Sequence, residues 1–128
     1  MISNGNKSKK VYKMAKILVM LTTGKENIHT EMVSFNFAIN AVKNANATVE
    51  FLLLGRGVQA ADIRQKNSPQ FEEQLKTLED TGIPVKICKV SMAGEGLTAK
   101  DIFSGIEMVF GGVETNDKIE EGYTVITF

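Results

Sequence analysis

Short unbroken apolar runs, separated by a helical stripe, constrain this chain more than any other feature. Ile17-Leu18-Val19-Met20-Leu21 is apolar at every position, and Val49-Glu50-Phe51-Leu52-Leu53-Leu54 at all but one. A strand with one solvated face alternates, so continuity predicts strands covered on both sides, as in parallel sheets. Between the two runs Ile28, Met32, Phe35, Ile39 and Val42 recur at steps of four and three, the apolar stripe of a helix. Ala38, Ala41 and Ala45 lie beside that stripe and permit close packing.

The pattern repeats downstream. Val58 to Asn67 stays open between a loop and a short helix through Ala60, Ala61 and Ile63. Ser68-Pro69 reads as an N-cap followed by proline at the first helical position, and Phe71, Leu75 and Leu78 give that helix its buried face. Gly82 suits a left-handed cap, and Pro84 ends the helix. A third strand is predicted over Val85 to Val90, and a short helix opening at Thr98 with Asp101 in a capping-box position. A fourth strand is predicted over Ile106 to Phe110, a polar helix over Val113 to Glu121, and a last strand over Tyr123 to Phe128. Strands alternating with helices predict one α/β three-layer sandwich around a mostly parallel five-stranded sheet, spanning residues 16–128. Of the aromatic and methionine side chains around the fourth strand, Phe103, Met108 and Phe110 read as core, with a subunit contact as the alternative.

Composition excludes several function classes. The 128 residues suffice for one core rather than two. Fifteen basic residues balance fifteen acidic ones, so no overall field draws nucleic acid. One cysteine, Cys88, rules out an intrachain disulfide, and with one histidine, His29, it is too little for a closed zinc site. Residues 1–15 read as a basic tail and lead-in, without the apolar run of a secretory signal, and no stretch is long enough to span a membrane. A cytoplasmic protein with no nucleic-acid or membrane partner is expected. Thr22-Thr23-Gly24-Lys25 lacks the glycine spacing of a phosphate loop, and nothing matches an FMN site.

Cys88 is where chemistry is expected. It closes Val85-Lys86-Ile87-Cys88 and precedes the turn-rich Ser91-Met92-Ala93-Gly94-Glu95-Gly96, at the strand ends where α/β folds hold ligands. Alternation along a strand puts Lys86, Cys88 and Val90 on one face. Lys86 on that face would favour a thiolate, the nucleophilic form of cysteine, or would be a solvated rim charge. Equally, the thiol fits a small buried hydrophobe. His29, at the start of the first helix, has no orienting partner and reads as a surface residue rather than a base. Gly24 and Gly57, at the ends of the first two strands, are candidate substrate contacts in the same crevice.

Several of these residues match a family pattern. Cys88-Lys89-Val90-Ser91-Met92-Ala93-Gly94-Glu95-Gly96-Leu97 resembles the C-x-x-S-x-x-x-x-G-L signature of the DsrE/DsrF-like (YchN-like) family. Asp101-Ile102-Phe103-Ser104-Gly105-Ile106-Glu107 is similar to its D-[LI]-x-x-G-[VI]-E segment, Gly55-Arg56-Gly57-Val58 to its G-x-G-V turn, and Ile126-Thr127-Phe128 to its I-T-F ending. The resemblance implies a flavodoxin-like sandwich assembled as trimers or hexamers. It also implies a sulfur-relay role, with Cys88 accepting sulfane sulfur as a persulfide, without metal or organic cofactor, and passing it between donor and acceptor proteins. Ser91, Gly94 and Gly96 would shape the pocket. Many relatives carry a basic residue where this chain has Glu95, and an acid near the thiol is expected to raise its pKa. Two functions therefore stand open: a sulfurtransferase acting as a sulfur carrier, or a non-catalytic oligomeric module binding a small anion or a partner protein at the strand C-terminal crevice.

Overall fold

The computed structural model describes residues 14–128, so the expected basic tail lies outside it except for Met14 and Ala15. Five strands, β1 (Lys16–Leu21), β2 (Thr48–Leu53), β3 (Val85–Cys88), β4 (Glu107–Val109) and β5 (Thr124–Thr127), form one sheet in the order β4-β3-β2-β1-β5. Every pairing in it is parallel. The chain steps in one direction from β1 to β4, then returns past β1 to add β5. Right-handed crossovers therefore put helices α1 (Ile28–Ala45) and α2 (Ser68–Asp80) on one face and α4 (Gly111–Glu120) on the other.

The α1/α2 face carries the main core. Val19, Leu21, Val49, Phe51, Leu53, Val85 and Ile87 point to it and pack against Phe35, Ala38, Phe71, Leu75 and Leu78. Phe35 stacks on Phe51 with centroids 5.3 Å apart and meets Phe71 edge-on at 5.8 Å. Such pairs add about 0.5–1.5 kcal/mol each beyond area burial. The stripe of α1 is as expected, with Ile28, Met32, Ile39 and Val42 partly buried around Phe35. One residue on this face breaks the pattern: Glu31 is 1% exposed, and neither carboxyl oxygen has a hydrogen-bond partner among the described residues. Burial, with the nearby Glu26 charge adding to it, pushes its pKa up to about 7.

Three expectations need correction. The third strand stops at Cys88 instead of Val90, because Lys89–Gly94 coils into a six-residue helix, α3, whose Met92 is buried. The cap of α2 is Asn67, which moves Ser68 and Pro69 into the first turn; Gly82, at φ +84°, turns the chain out as expected. Met108 and Phe110 are 41% and 55% exposed and so are not core, whereas Phe103 and Ile106 pack against it. The open segment resolves into a 3-10 turn over Gly55–Ala61 that buries Val58, Ala60 and Ala61. The capping box at Thr98 and Asp101 is present on a short 3-10 turn, Ala99–Asp101.

Candidate functional site

Cys88 is the last residue of β3 and the cap of α3, on the sheet face that α4 covers. It is 5% exposed, and its side chain makes no capping hydrogen bond to the helix as a thiol. Burial raises the pKa of this thiol. The Ser91 hydroxyl and the backbone N–H groups of Ser91, Gly111 and Val90 outweigh that and bring it below the ordinary cysteine value. These donors favour the anion because a thiolate accepts their hydrogen bonds far better than a neutral thiol.

Each donor has a structural reason to be there. Ser91 is one turn into α3, and its Oγ accepts a 2.7 Å hydrogen bond from the Gly55 N–H, leaving the hydroxyl proton free for the sulfur. The C-x-x-S and G-x-G-V patches thus meet in space. Gly111 opens α4 above the thiol. A Cβ at that position would lie 3.1 Å from the Cys88 Sγ and 2.5 Å from Leu54 Cδ1, so only glycine lets the helix start come this close. Gly111 and Leu54 escaped the sequence reading. The signal was the Gly111-Gly112 pair at the end of the strand beside β3, since parallel strands end at the same edge.

Other expected site residues are placed differently. Gly24 and Gly57 sit where chains touch: a side chain on Gly24 would strike Gln59 and Arg56, and one on Gly57 the Leu21 carbonyl. Both glycines therefore have a packing duty. Gly94, the last residue of α3, and Gly96 beyond it are exposed, and Gly96, at φ +73°, reverses the chain. Of the residues named from the motif, only Ser91 is brought to the sulfur. Lys86 shares the face of Cys88, yet it is neither a rim charge nor a partner of the thiol. It is 16% exposed and bonds Glu114 at 2.9 Å, with Glu50 at 3.4 Å. His29 is exposed on α1, on the opposite face of the sheet from the thiol. Glu95 does not raise the thiol pKa as expected: its carboxylate accepts from Gln59 Nε2 at 2.8 Å. It lines a cleft of about 740 Å³ with Lys25, Gln59, Arg64 and Lys66, which Cys88 does not line.

This arrangement can be compared with known proteins. The sequence profile of the DsrE/DsrF-like family matches residues 6–128. The chain belongs to this family. The fold is similar to that of the ychN protein from E. coli, with a TM-score of 0.73 and 22% identity over 90% of this chain and 100% of that one. A Methanobacterium thermoautotrophicum protein of unknown function gives 0.72 and 14% over 91% and 100%. A conserved Bacteroides thetaiotaomicron protein of unknown function gives 0.69 and 19% over 88% and 94%. A search of curated protein sequences finds no match. The flavodoxin-like α/β architecture thus stands as expected, with a sheet that is wholly parallel. Among the described residues no helix is long and apolar enough to cross a membrane.

Proposed function

We propose that this DsrE/DsrF-like protein is a sulfur carrier, with Cys88 as the residue that holds the sulfur. The observation that carries this reading is a thiol near the sheet edge whose ionised form is favoured by the Ser91 hydroxyl and by three backbone amides, one from a second helix. The Cys88 thiolate attacks the outer sulfur of a donor persulfide, R–S–SH. The new S–S bond forms as the donor S–S bond breaks, and its electron pair leaves on the donor as a thiolate. Cys88 then carries –S–SH, with the proton still on the outer sulfur. An acceptor thiolate attacks that sulfur in turn and releases Cys88 as a thiolate. Charge and oxidation level balance in both steps, so no redox cofactor takes part.

The donor in this reading is a protein-bound persulfide docked beside Cys88, whose residue is 5% exposed. Val90 on α3, Met108 on β4, Phe110 at the cap of α4, and Val113 and Ile119 on α4 are exposed and offer apolar surface for self-association or for such a partner. The Lys89 ammonium lies 4.7 Å over the Phe110 ring in that region.

Incubation with a protein persulfide donor followed by intact-mass measurement tests the proposal. Wild type is expected to gain about one sulfur, reversibly under reductant, and Cys88→Ala none. An equal gain in both proteins sinks it. The rival reading, an anion-binding module, draws on the cleft with Lys25, Arg64 and Lys66, which also holds Glu95 and the Asp62 paired with Arg64. It predicts sulfate binding that Cys88→Ser leaves unchanged.

A further inference from the structure

Helix α4 reaches the sulfur, yet its own apolar residues do little to hold it down. Its one fully buried residue is Gly111, and Val113 and Ile119 are 59% and 54% exposed. A ten-residue helix with so thin an apolar face needs another tether to keep its place. Charge supplies it. Glu114 and Lys118, four residues apart, point from α4 to the sheet. Lys86 Nζ lies 2.9 Å from Glu114 Oε2 and 3.4 Å from Glu50 Oε1, and Lys118 Nζ lies 3.5 Å from that same Glu50 oxygen. Glu107 and Glu121 touch the two lysines from the rim, and Lys118 also lies 5.4 Å from the centre of the Tyr123 ring.

We propose that Glu50, Lys86, Glu114 and Lys118 form a charge clamp that seats the first turn of α4 on Cys88, with Glu114 as a positioning residue for the thiol. The clamp rests on the reading of Cys88 as a reactive thiolate. The geometry is a ladder with two rungs. Lys86 and Cys88 point to the same face, two residues apart on β3, about 6.6 Å along the strand. Glu114 and Gly111 are three residues apart on α4, about 4.5 Å along the helix. The lower rung is the Lys86–Glu114 bond, and the upper one is the Gly111 contact with the sulfur.

Buried ion pairs contribute little net stability compared with well-packed aliphatic side chains. Four charged groups under one helix, with Glu50 only 3% exposed, therefore suit placement better than strength. Glu50 Oε2 is buried and, among the described residues, has no hydrogen-bond partner while ionised. Protonation makes it a donor to Glu114, so the pair can share one proton between two lysines. Burial, followed by the Glu114 contact, pushes the Glu50 pKa up to about 7.

The clamp makes a prediction whose sign separates it from plain electrostatics. Glu114→Gln removes a negative charge near the sulfur, which by Coulomb's law alone lowers the thiol pKa. Release of the Gly111 amide raises it. The test is the pH profile of iodoacetamide alkylation at Cys88 in otherwise wild-type protein, with thermal unfolding alongside. Glu114→Gln is expected to raise the thiol pKa by about one unit, which near neutral pH slows alkylation about tenfold. Glu107→Gln, which removes a 68% exposed carboxylate 3.8 Å from the same lysine, is expected to leave the thiol alone. Should Glu114→Gln not fold, Glu114→Asp keeps the charge and shortens the reach, and it too raises the pKa. An unchanged or lowered thiol pKa in the variant that folds overturns the clamp while the sulfur-carrier reading stands. A wild-type thiol that titrates at or above the ordinary value removes that reading, and the clamp with it.

Discussion

The two faces of this sheet solve different problems with the same strands. Toward α1 and α2, Phe35, Phe51 and Phe71 interlock with aliphatic neighbours, and position follows from shape. Toward α4, the strands present Glu50, Lys86 and Cys88 beside the buried Leu18 and Leu52, and the covering helix meets them with charged side chains and with its own first residue, Gly111. A packed apolar face resists change, whereas an ion-held helix can be set against a sulfur at the cost of stability. The lesson is a division of labour across one layer of β-structure. One face keeps the fold, and the other places donors on a thiol.

The largest expected effect falls on the first face. Phe35→Ala should lower unfolding stability by about 3–5 kcal/mol in urea titrations. It should leave the Cys88 alkylation pKa where it was, and a shift there would break the division drawn above. Glu31→Gln probes the one ionisable group sealed in that core. The Glu31 pKa is raised from 4.5 to about 7, so wild-type stability is fully present below 4.5 and lost as pH rises through 7. Glutamine does not titrate. The stability advantage of Glu31→Gln over wild type should therefore grow between pH 4.5 and pH 8 by about 3 kcal/mol. A pH-independent difference would show that this carboxyl is not ionised at a cost in the folded state.

On the second face the effects are smaller in stability and sharper in chemistry. Gly111→Ala should cost about 1–3 kcal/mol through the clash with Leu54 and the sulfur. It should also slow alkylation of Cys88, and normal alkylation would mean the helix start does not meet the thiol. Ser91→Ala is the mildest change. It removes the solvent-exposed bond from the Gly55 N–H, for about 0.5 kcal/mol, and raises the thiol pKa, read from the same alkylation profile.

How much of this was legible in the sequence follows the same division. The strands β1 and β2 and the stripe around Phe35 were readable because burial on a regular element imposes a period. Cys88 was readable as a strand-end thiol, and Ser91 as its neighbour from the motif. The helix α3 was not, since six residues that bury only Met92 carry no period. The 3-10 turn at Gly55–Ala61 was hidden for a similar reason: it buries Val58, Ala60 and Ala61 without helical spacing. Alternation put Lys86 on the thiol's face but said nothing of Glu114. That partner arrives only when the chain doubles back from β4 to β5 and drops α4 onto the sheet. Gly111 left one trace, the Gly111-Gly112 pair after the fourth strand, but its place over the sulfur depends on the same topology.

The pH dependence of Cys88 alkylation in the unaltered protein tests the central claim most directly. The Ser91, Gly111 and Val90 donors predict an inflection below the ordinary cysteine value. An inflection above that value, or no reaction until the protein unfolds, would mean a sealed structural thiol and would contradict the account.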